Sequence, residues 1–367
     1  MPGLTKGEAS SATNPALQLF TRSGKLLQDA VSGTYQIFRL DAVSNVEVVP
    51  EAAFNFADAP TGHKLGTGRL YVPTGDTSAW TAGSYLAICR YLMAAGGRSY
   101  VQETYFEVFE PETFPTGYNY ISYASPRVLM RKGLLPATGS IADYQQLLFE
   151  ISQHLEQALH NHFEPRYYSI DFDAIQSEVL QIDKPIIAVE KVEVITEDIS
   201  GFDYDEIDSG GYRVYNRHLD GLLQPDDRHD PKVSRESFGW YAGIEFPDSG
   251  FPRGRQIVRV TGVFGYTDPA PQSDKVLIGT TPKVLERAIV ALATRYLEDP
   301  SLSDPAVQQP GRVASYRTRH QSISFHNAAG SVTYTDGLTG DPLLDQQLMR
   351  LRGPIAVAVL RMGGATI

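Results

Sequence analysis

The stretch between Trp80 and Glu110 constrains the fold more than any other part of the chain. An apolar run, Leu86-Ala87-Ile88-Cys89-Arg90-Tyr91-Leu92, ends before the turn Gly96-Gly97, and from Ser99 the chain alternates. Tyr100, Gln102, Thr104, Phe106 and Val108 point one way, and Val101, Glu103, Tyr105, Glu107 and Phe109 the other. Period-two texture on either side of a Gly-Gly turn is the signature of a β-hairpin, because successive side chains of a strand face opposite sides. Shorter strand signals at residues 35–40, 46–49 and 69–72 extend the pattern, so residues 34–116 are expected to form a β-sandwich. Twenty Tyr and sixteen Phe in 367 residues favour strands and interfaces over helical bundles in this part of the chain.

The segment with Trp80, Gly83 and Tyr85 ahead of a long strand, closed by a strand ending Phe106-Glu107-Val108-Phe109, resembles the Ig-like modules of phage structural proteins. Residues 1–33, rich in Ser, Ala, Thr and Gly, read as an N-terminal arm. Pro111, Pro115 and Gly117 mark a linker at the end of the β region. Beyond it, apolar residues at Ile141, Tyr144, Leu147, Leu148, Ile151, Leu155 and Leu159 repeat at helical spacing. A second helix is expected over residues 282–297, opened by Pro282, and a third over residues 343–351. Strand-like segments fall between the first two, at residues 167–172, 178–182, 186–194, 212–215, 243–246 and 255–266. Weaker strand signals lie at residues 321–326 and 332–334, and an apolar run covers residues 355–360.

The fold class expected is therefore α+β: an N-terminal Ig-like β-sandwich, then a helical-bundle domain with a small inserted β-sheet. Its domains would be an arm (1–33), the sandwich (34–116), a core of helices with the inserted sheet (117–300) and a C-terminal arm with a docking segment (301–367).

The formal net charge of −11 is unevenly spread. Residues 118–300 carry 18 Lys and Arg against 28 Asp and Glu, whereas residues 301–367 carry 6 against 4. An acidic middle argues against wrapping nucleic acid, which requires a basic face. The single cysteine, Cys89, excludes an intrachain disulfide and a Cys-rich zinc site, and its apolar surroundings make it a small core residue. No signal-peptide pattern and no apolar stretch long enough to span a bilayer is visible, so assembly in a cytosol-like compartment is expected.

Chemistry is sparse. No phosphate-binding loop, dinucleotide fingerprint, zincin motif or nucleophile elbow occurs. His154, His160 and His162 lie near the end of the first helix without the i, i+4 spacing that aims two ligands from one helical face. Asp203, Asp205, Glu206 and Asp208 form the densest acidic stretch, but Ile207 falls where a calcium loop needs an oxygen ligand and no closing Glu follows. These four are taken as an acidic lumen or surface loop. The pair Trp240-Tyr241 near Glu245 reads as core or interface rather than a sugar groove. No enzyme activity, cofactor or metal is expected, and two-carboxylate glycosidase chemistry has no anchor among 43 acidic residues.

The order of elements carries one more resemblance. An amphipathic helix ends near Phe163, and the strand Pro185-Ile186-Ile187-Ala188-Val189-Glu190-Lys191-Val192 follows. Next come Tyr212-Arg213-Val214-Tyr215, then Val260-Thr261-Gly262-Val263-Phe264-Gly265-Tyr266, a Pro-started helix with Ala288, Ala291, Leu292 and Ala293, and finally Asp341-Pro342-Leu343-Leu344. This resembles the head-to-tail connector (adaptor, or head-completion) family of tailed bacteriophages. The insertion at residues 222–251 and the extra β module depart from the family pattern.

The resemblance implies a structural virion protein of the neck, assembled in the host cytoplasm as a ring of about twelve copies. Its partners would be the portal, a downstream tail or neck protein, other copies of itself and, through the N-terminal module, the capsid. Double-stranded DNA would pass its channel without sequence-specific binding, and no membrane would be involved. The portal-docking residues would be Leu344, Leu348, Arg350, Leu351, Arg352 and Ile355. The rival reading is a carbohydrate-binding or fibre-type adhesion protein, suggested by the aromatic, β-rich composition.

Overall fold

The computed structural model describes residues 2–41, 44–112, 114, 120–134, 141–175, 177–198, 201–216, 227–235, 250–268, 278–298, 315–317, 322–324, 339 and 341–352. Most of the insertion at 222–251, with Trp240, Tyr241 and Glu245, lies outside them. So do the strand signal at 332–334 and the run 355–360.

In chain order the strands are β1 (Gly3–Thr5), β2 (Gln18–Phe20), β3 (Arg22–Ser23), β4 (Leu26–Leu27), β5 (Ser32–Leu40), β6 (Asn45–Ala53), β7 (Lys64–Gly66), β8 (Arg69–Tyr71), β9 (Gly83–Leu92) and β10 (Ser99–Phe109). Helices α1 (Pro126–Arg131) and α2 (Ile141–Leu159) follow. Then come β11 (Arg166–Ile175), β12 (Val179–Gln181), β13 (Ile186–Asp198), β14 (Gly201–Glu206), β15 (Tyr212–Val214), β16 (Lys232–Arg235) and β17 (Arg253–Phe264). Helix α3 (Lys283–Glu298), the short pair β18 (Ser315–Arg317) and β19 (Ser322–Ser324), and helix α4 (Pro342–Met349) complete the order. The chain divides into two compact units: 1–19, 30–158 and 281–351 form the first, and 20–29, 159–280 and 352–367 the second.

The first unit is built on a five-stranded sheet of order β1-β10-β9-β5-β6. The hairpin read from the sequence is its centre: Ser99 pairs with Leu92 and Val108 with Gly83. One face carries Tyr35, Ile37, Tyr85, Ala87, Cys89, Tyr91, Phe106 and Val108, all buried. Burial in that layer pushes the Cys89 thiol up to about 12, which leaves it an inert core residue. A three-stranded sheet, β2-β8-β7, contributes buried Leu19 and Leu70. The edge strand β1 joins β10 in parallel, a pairing that a three-residue strand cannot announce in sequence. Where β10 ends, Phe109 stacks on Phe114 at 4.3 Å and meets Tyr120, and Phe149 of α2 packs against this group.

The second unit is all β among its described residues, apart from two three-residue 3-10 turns. Its main sheet runs β11-β17-β13-β4-β3, with β14 paired to the far end of β13. A three-stranded sheet, β12-β16-β15, lies against one face. Phe172, Val192, Val258, Val260 and Phe264 of the first sheet share a core with Leu180, Tyr212, Val214 and Val233 of the second. Strands β13 and β17 are apolar on both faces over part of their length because Ile187, Ala188 and Val263 are buried on the opposite side with Phe20, Leu27 and Ile278. Segment 20–29 belongs to this unit: Leu26 pairs with Val189, and buried Arg22 donates to the Ile187 carbonyl at 2.9 Å.

This corrects the expected fold class. Strands hold 42% and helices 21% of the described residues, in several sheets, with no helical-bundle domain among them. The three anticipated helices exist as α2, α3 and α4, and together with the unanticipated α1 they lie in the first unit, apart from the last residue of α2. Each of the longer two has one apolar stripe, which satisfies itself against neighbouring elements rather than by gathering into a bundle. Of the segments read as a small inserted sheet, those at 167–172, 186–194 and 255–266 are strands of ten to thirteen residues that form the main sheet of the second unit. An Ig-like sandwich followed by a helical bundle therefore does not describe this chain.

Candidate functional site

The acidic stretch lies at the outer edge of the second unit's sheet. Strand β14 carries Asp203, Asp205 and Glu206, and pairs only with β13 among the described residues, Glu206 opposite Glu193 and Asp203 opposite Thr196. All three are exposed. Asp208 lies beyond the strand, where its carboxylate accepts from the Gly210 amide at 3.0 Å and caps a short 3-10 turn. That turn is fastened by Lys25, whose Nζ donates to the carbonyls of Ser209 and Tyr212 and stands 4.6 Å above the Tyr212 ring. The four acidic residues thus share one edge but converge on no common point. Among the described residues no group of three or more His, Cys, Asp or Glu could hold a metal ion.

The same strand also exposes aromatic surface that the sequence reading passed over. Phe202 is 66% and Tyr204 41% exposed. They alternate with the aspartates, so both rings lie on one face of the strand. The Arg259 guanidinium stands 4.6 Å from the Tyr204 ring centroid. Its Nε and Nη2 donate to the two Asp171 oxygens at 2.6 and 2.9 Å. The Asp171 carboxylate raises the Arg259 pKa further above its ordinary value, so this cation is permanent. An arginine gripped by a carboxylate and lying over an aromatic ring is a strong, planar form of recognition.

The C-terminal residues are divided by their burial. Leu348 and Leu351 are buried and Leu344 half-buried, so they hold α4 within its own unit, where it contacts α3. Asp341 caps α4 through the amides of Leu343 and Leu344, and Pro342 occupies the first turn. Buried Asp345 accepts the Thr339 amide and hydroxyl, each at 2.7 Å, and Arg295 of α3 donates to the Thr339 carbonyl. Arg350 and Arg352 are exposed, and Ile355 lies outside the described residues. The exposed apolar groups of this helix are Leu343, at 73%, and Met349, at 47%. Neither was singled out by the apolar spacing, because that spacing reports the face turned inward.

The histidines also separate. His160 adopts a positive φ of 52° just past the end of α2, a helix-terminating conformation. His162 is buried, and its neutral ring donates from Nε2 to the Phe264 carbonyl at 3.1 Å. Further along the chain, Arg228 lies 4.3 Å over the Tyr266 ring and donates to the Thr267 carbonyl at 2.8 Å, and Asp227 beside it is buried.

No family model matches the chain, and no curated protein matches it. Among solved structures it is similar to one described as the neck of an empty GTA particle computed with C6 symmetry. The two share 16% identity, over 65% of this chain and 94% of the other, with a TM-score of 0.33. A likeness at that level carries no argument about role.

Proposed function

We propose that the chain is a structural, non-enzymatic component of the neck of a tailed phage-like particle. Copies of it would form a ring between the portal and the next tail or neck protein. The observation that carries this reading is the pairing of two sequence segments. Residues 185–192 and 260–266, on which the resemblance to head-to-tail connectors is strongest, are adjacent antiparallel strands. Val189 faces Gly262 and Val192 faces Val260. Segments 68 or more residues apart that match one family's pattern and also share a ladder belong to a single structural unit. The acidic balance of residues 118–300 suits a wall past which a polyanion must slide.

The test uses the full chain, alone and mixed with the portal protein of the particle that encodes it, followed by light scattering and negative-stain imaging. Closed rings seated on the portal are expected. A stable trimer that ignores the portal and binds glycans would instead establish the adhesion reading.

A further inference from the structure

We infer that α4 of one copy seats on the β14 edge of a second copy, with the Arg350 guanidinium over the Phe202 ring. The inference takes from the proposed function only the premise that copies of the chain meet.

Three observations carry it. The two surfaces are opposite in charge and alike in apolar character. Strand β14 exposes Phe202 next to the aspartate-rich residues 203–208, whereas α4 exposes Leu343 and Met349 beside Arg350. Leu343, Gln346 and Arg350 are three and seven residues apart and share a helical face. Secondly, the chemistry of the contact already occurs inside each copy. On the same strand face, two residues from Phe202, Tyr204 lies under Arg259, which is held by Asp171. Phe202 repeats the exposed ring on that face, which Glu206 also shares, so the edge offers an arginine a second ring beside a carboxylate-bearing strand. Thirdly, α4 is fixed before it meets a partner, by buried Leu348 and by the Asp345–Thr339 bonds, so little ordering is lost on association.

The two patches are different surfaces, so the contact is heterologous. Each copy would offer α4 to one neighbour and β14 to the other, so repetition of that contact builds a ring or an open chain of copies rather than a two-fold dimer.

Cys89, the chain's one cysteine, is buried, so engineered cysteines report cleanly. Full-length Phe202→Cys and Met349→Cys variants are mixed and oxidised, both alone at high concentration and in portal-bound complexes. The mixture is expected to give a 202–349 cross-link, and the double variant a ladder beyond dimer. Arg350→Glu should weaken self-association about tenfold, and Glu206→Arg in the same chain, on the strand face of Phe202, should restore it by reversing the charge on the other surface.

Several outcomes overturn the inference. These are a double variant that cross-links within one chain at any dilution, a Met349→Cys cross-link to the portal alone, self-association indifferent to Arg350→Glu, or no association of copies in either setting. Failure to bind a portal while copies still cross-link through 202 and 349 would overturn the proposed neck role and leave this contact standing.

Discussion

Gln145 of α2 donates from Nε2 to the carboxyl of Glu107 at 2.9 Å, in a place where Glu107 is only 1% exposed. The same Gln145 nitrogen also reaches the Val108 carbonyl at 3.1 Å. Ser84 of β9 and Ser125, the N-cap of α1, are hydrogen-bonded to each other beside this carboxyl. Glu107 is thus the polar point at which β9, β10, α1 and α2 meet. Burial pushes its pKa up to about 7 against the partial opposition of those hydrogen bonds.

Glu107 should therefore make the protein less stable as the pH rises. Between the ordinary carboxyl value of 4.5 and about 7, the native chain keeps a proton that the unfolded chain has released, so stability falls across that window. The full effect is of the order of 3 kcal/mol. Glu107→Gln removes the titration while keeping the size and an oxygen that accepts from Gln145. Denaturant midpoints of the two proteins should converge near pH 5, and the variant should be the more stable at pH 8. Parallel curves from pH 5 to 8 would rule the effect out.

His162 acts in the opposite direction and lower in pH. Burial, reinforced by the cations Arg166 and Lys184, pushes its pKa down to about 3 from 6.5. The stability contributed by the neutral ring is complete above 6.5 and is lost as the pH falls from there towards 3, because the unfolded chain takes up the proton first. In His162→Gln the amide can still donate to the Phe264 carbonyl but cannot titrate. Its denaturant midpoint, followed by far-UV circular dichroism, should gain on that of the parent protein steadily from pH 6.5 to pH 4. A constant gap over that range would mean that His162 is not held neutral.

How much of this was legible in the sequence depended on which neighbours decided each residue's fate. The hairpin of β9 and β10 and helices α2 and α3 could be read because their periodicity is local. Glu107 could not. Alternation places it with Val101, Glu103 and Tyr105, whose side of the hairpin is open to solvent at that end, and the arrival of Ser125 at the start of α1 and Gln145 of α2 covers the last residues of the strand. Strands β3 and β4 have two residues each and no period to detect, yet they tie segment 20–29 to β13. In the candidate site, the acidic charge of residues 203–208 was plain. The exposure of Phe202 and of Leu343 was not, because a lone apolar residue in sequence carries no sign of which way it faces.

Gly262 tests the strand pair that carries the proposed function. A Cβ there would lie 2.3 Å from the Ala188 carbonyl oxygen and 2.9 Å from the Val189 Cα, both backbone atoms of β13 that cannot swing aside. Gly262→Ala must push β13 and β17 apart, at a cost of about 3 kcal/mol in unfolding free energy. Gly210 is the matched control, since its added methyl would meet nothing nearer than Asp208 Oδ1 at 3.8 Å. Gly210→Ala should change stability by no more than about 0.5 kcal/mol. Equal midpoints for the two variants would show that the β13–β17 approach is looser than described.

The C-terminal helix offers a last, sharper contrast, because its leucines have separate tasks. Leu348 has no exposed surface, so Leu348→Ala leaves a cavity beneath α4 and should cost about 2 to 4 kcal/mol. Leu343 is 73% exposed, so Leu343→Ala should leave the unfolding midpoint within about 0.5 kcal/mol of the parent. Association with other copies should show the reverse order: Leu343→Ala weakens it in a protein that melts normally. Leu348→Ala weakens it only through the loosened helix, and cooling or a stabilising co-solvent should restore it. Thermal melts and sedimentation on the same samples separate the two. A Leu343→Ala protein that both melts and associates as the parent does would remove α4 from the contact between copies.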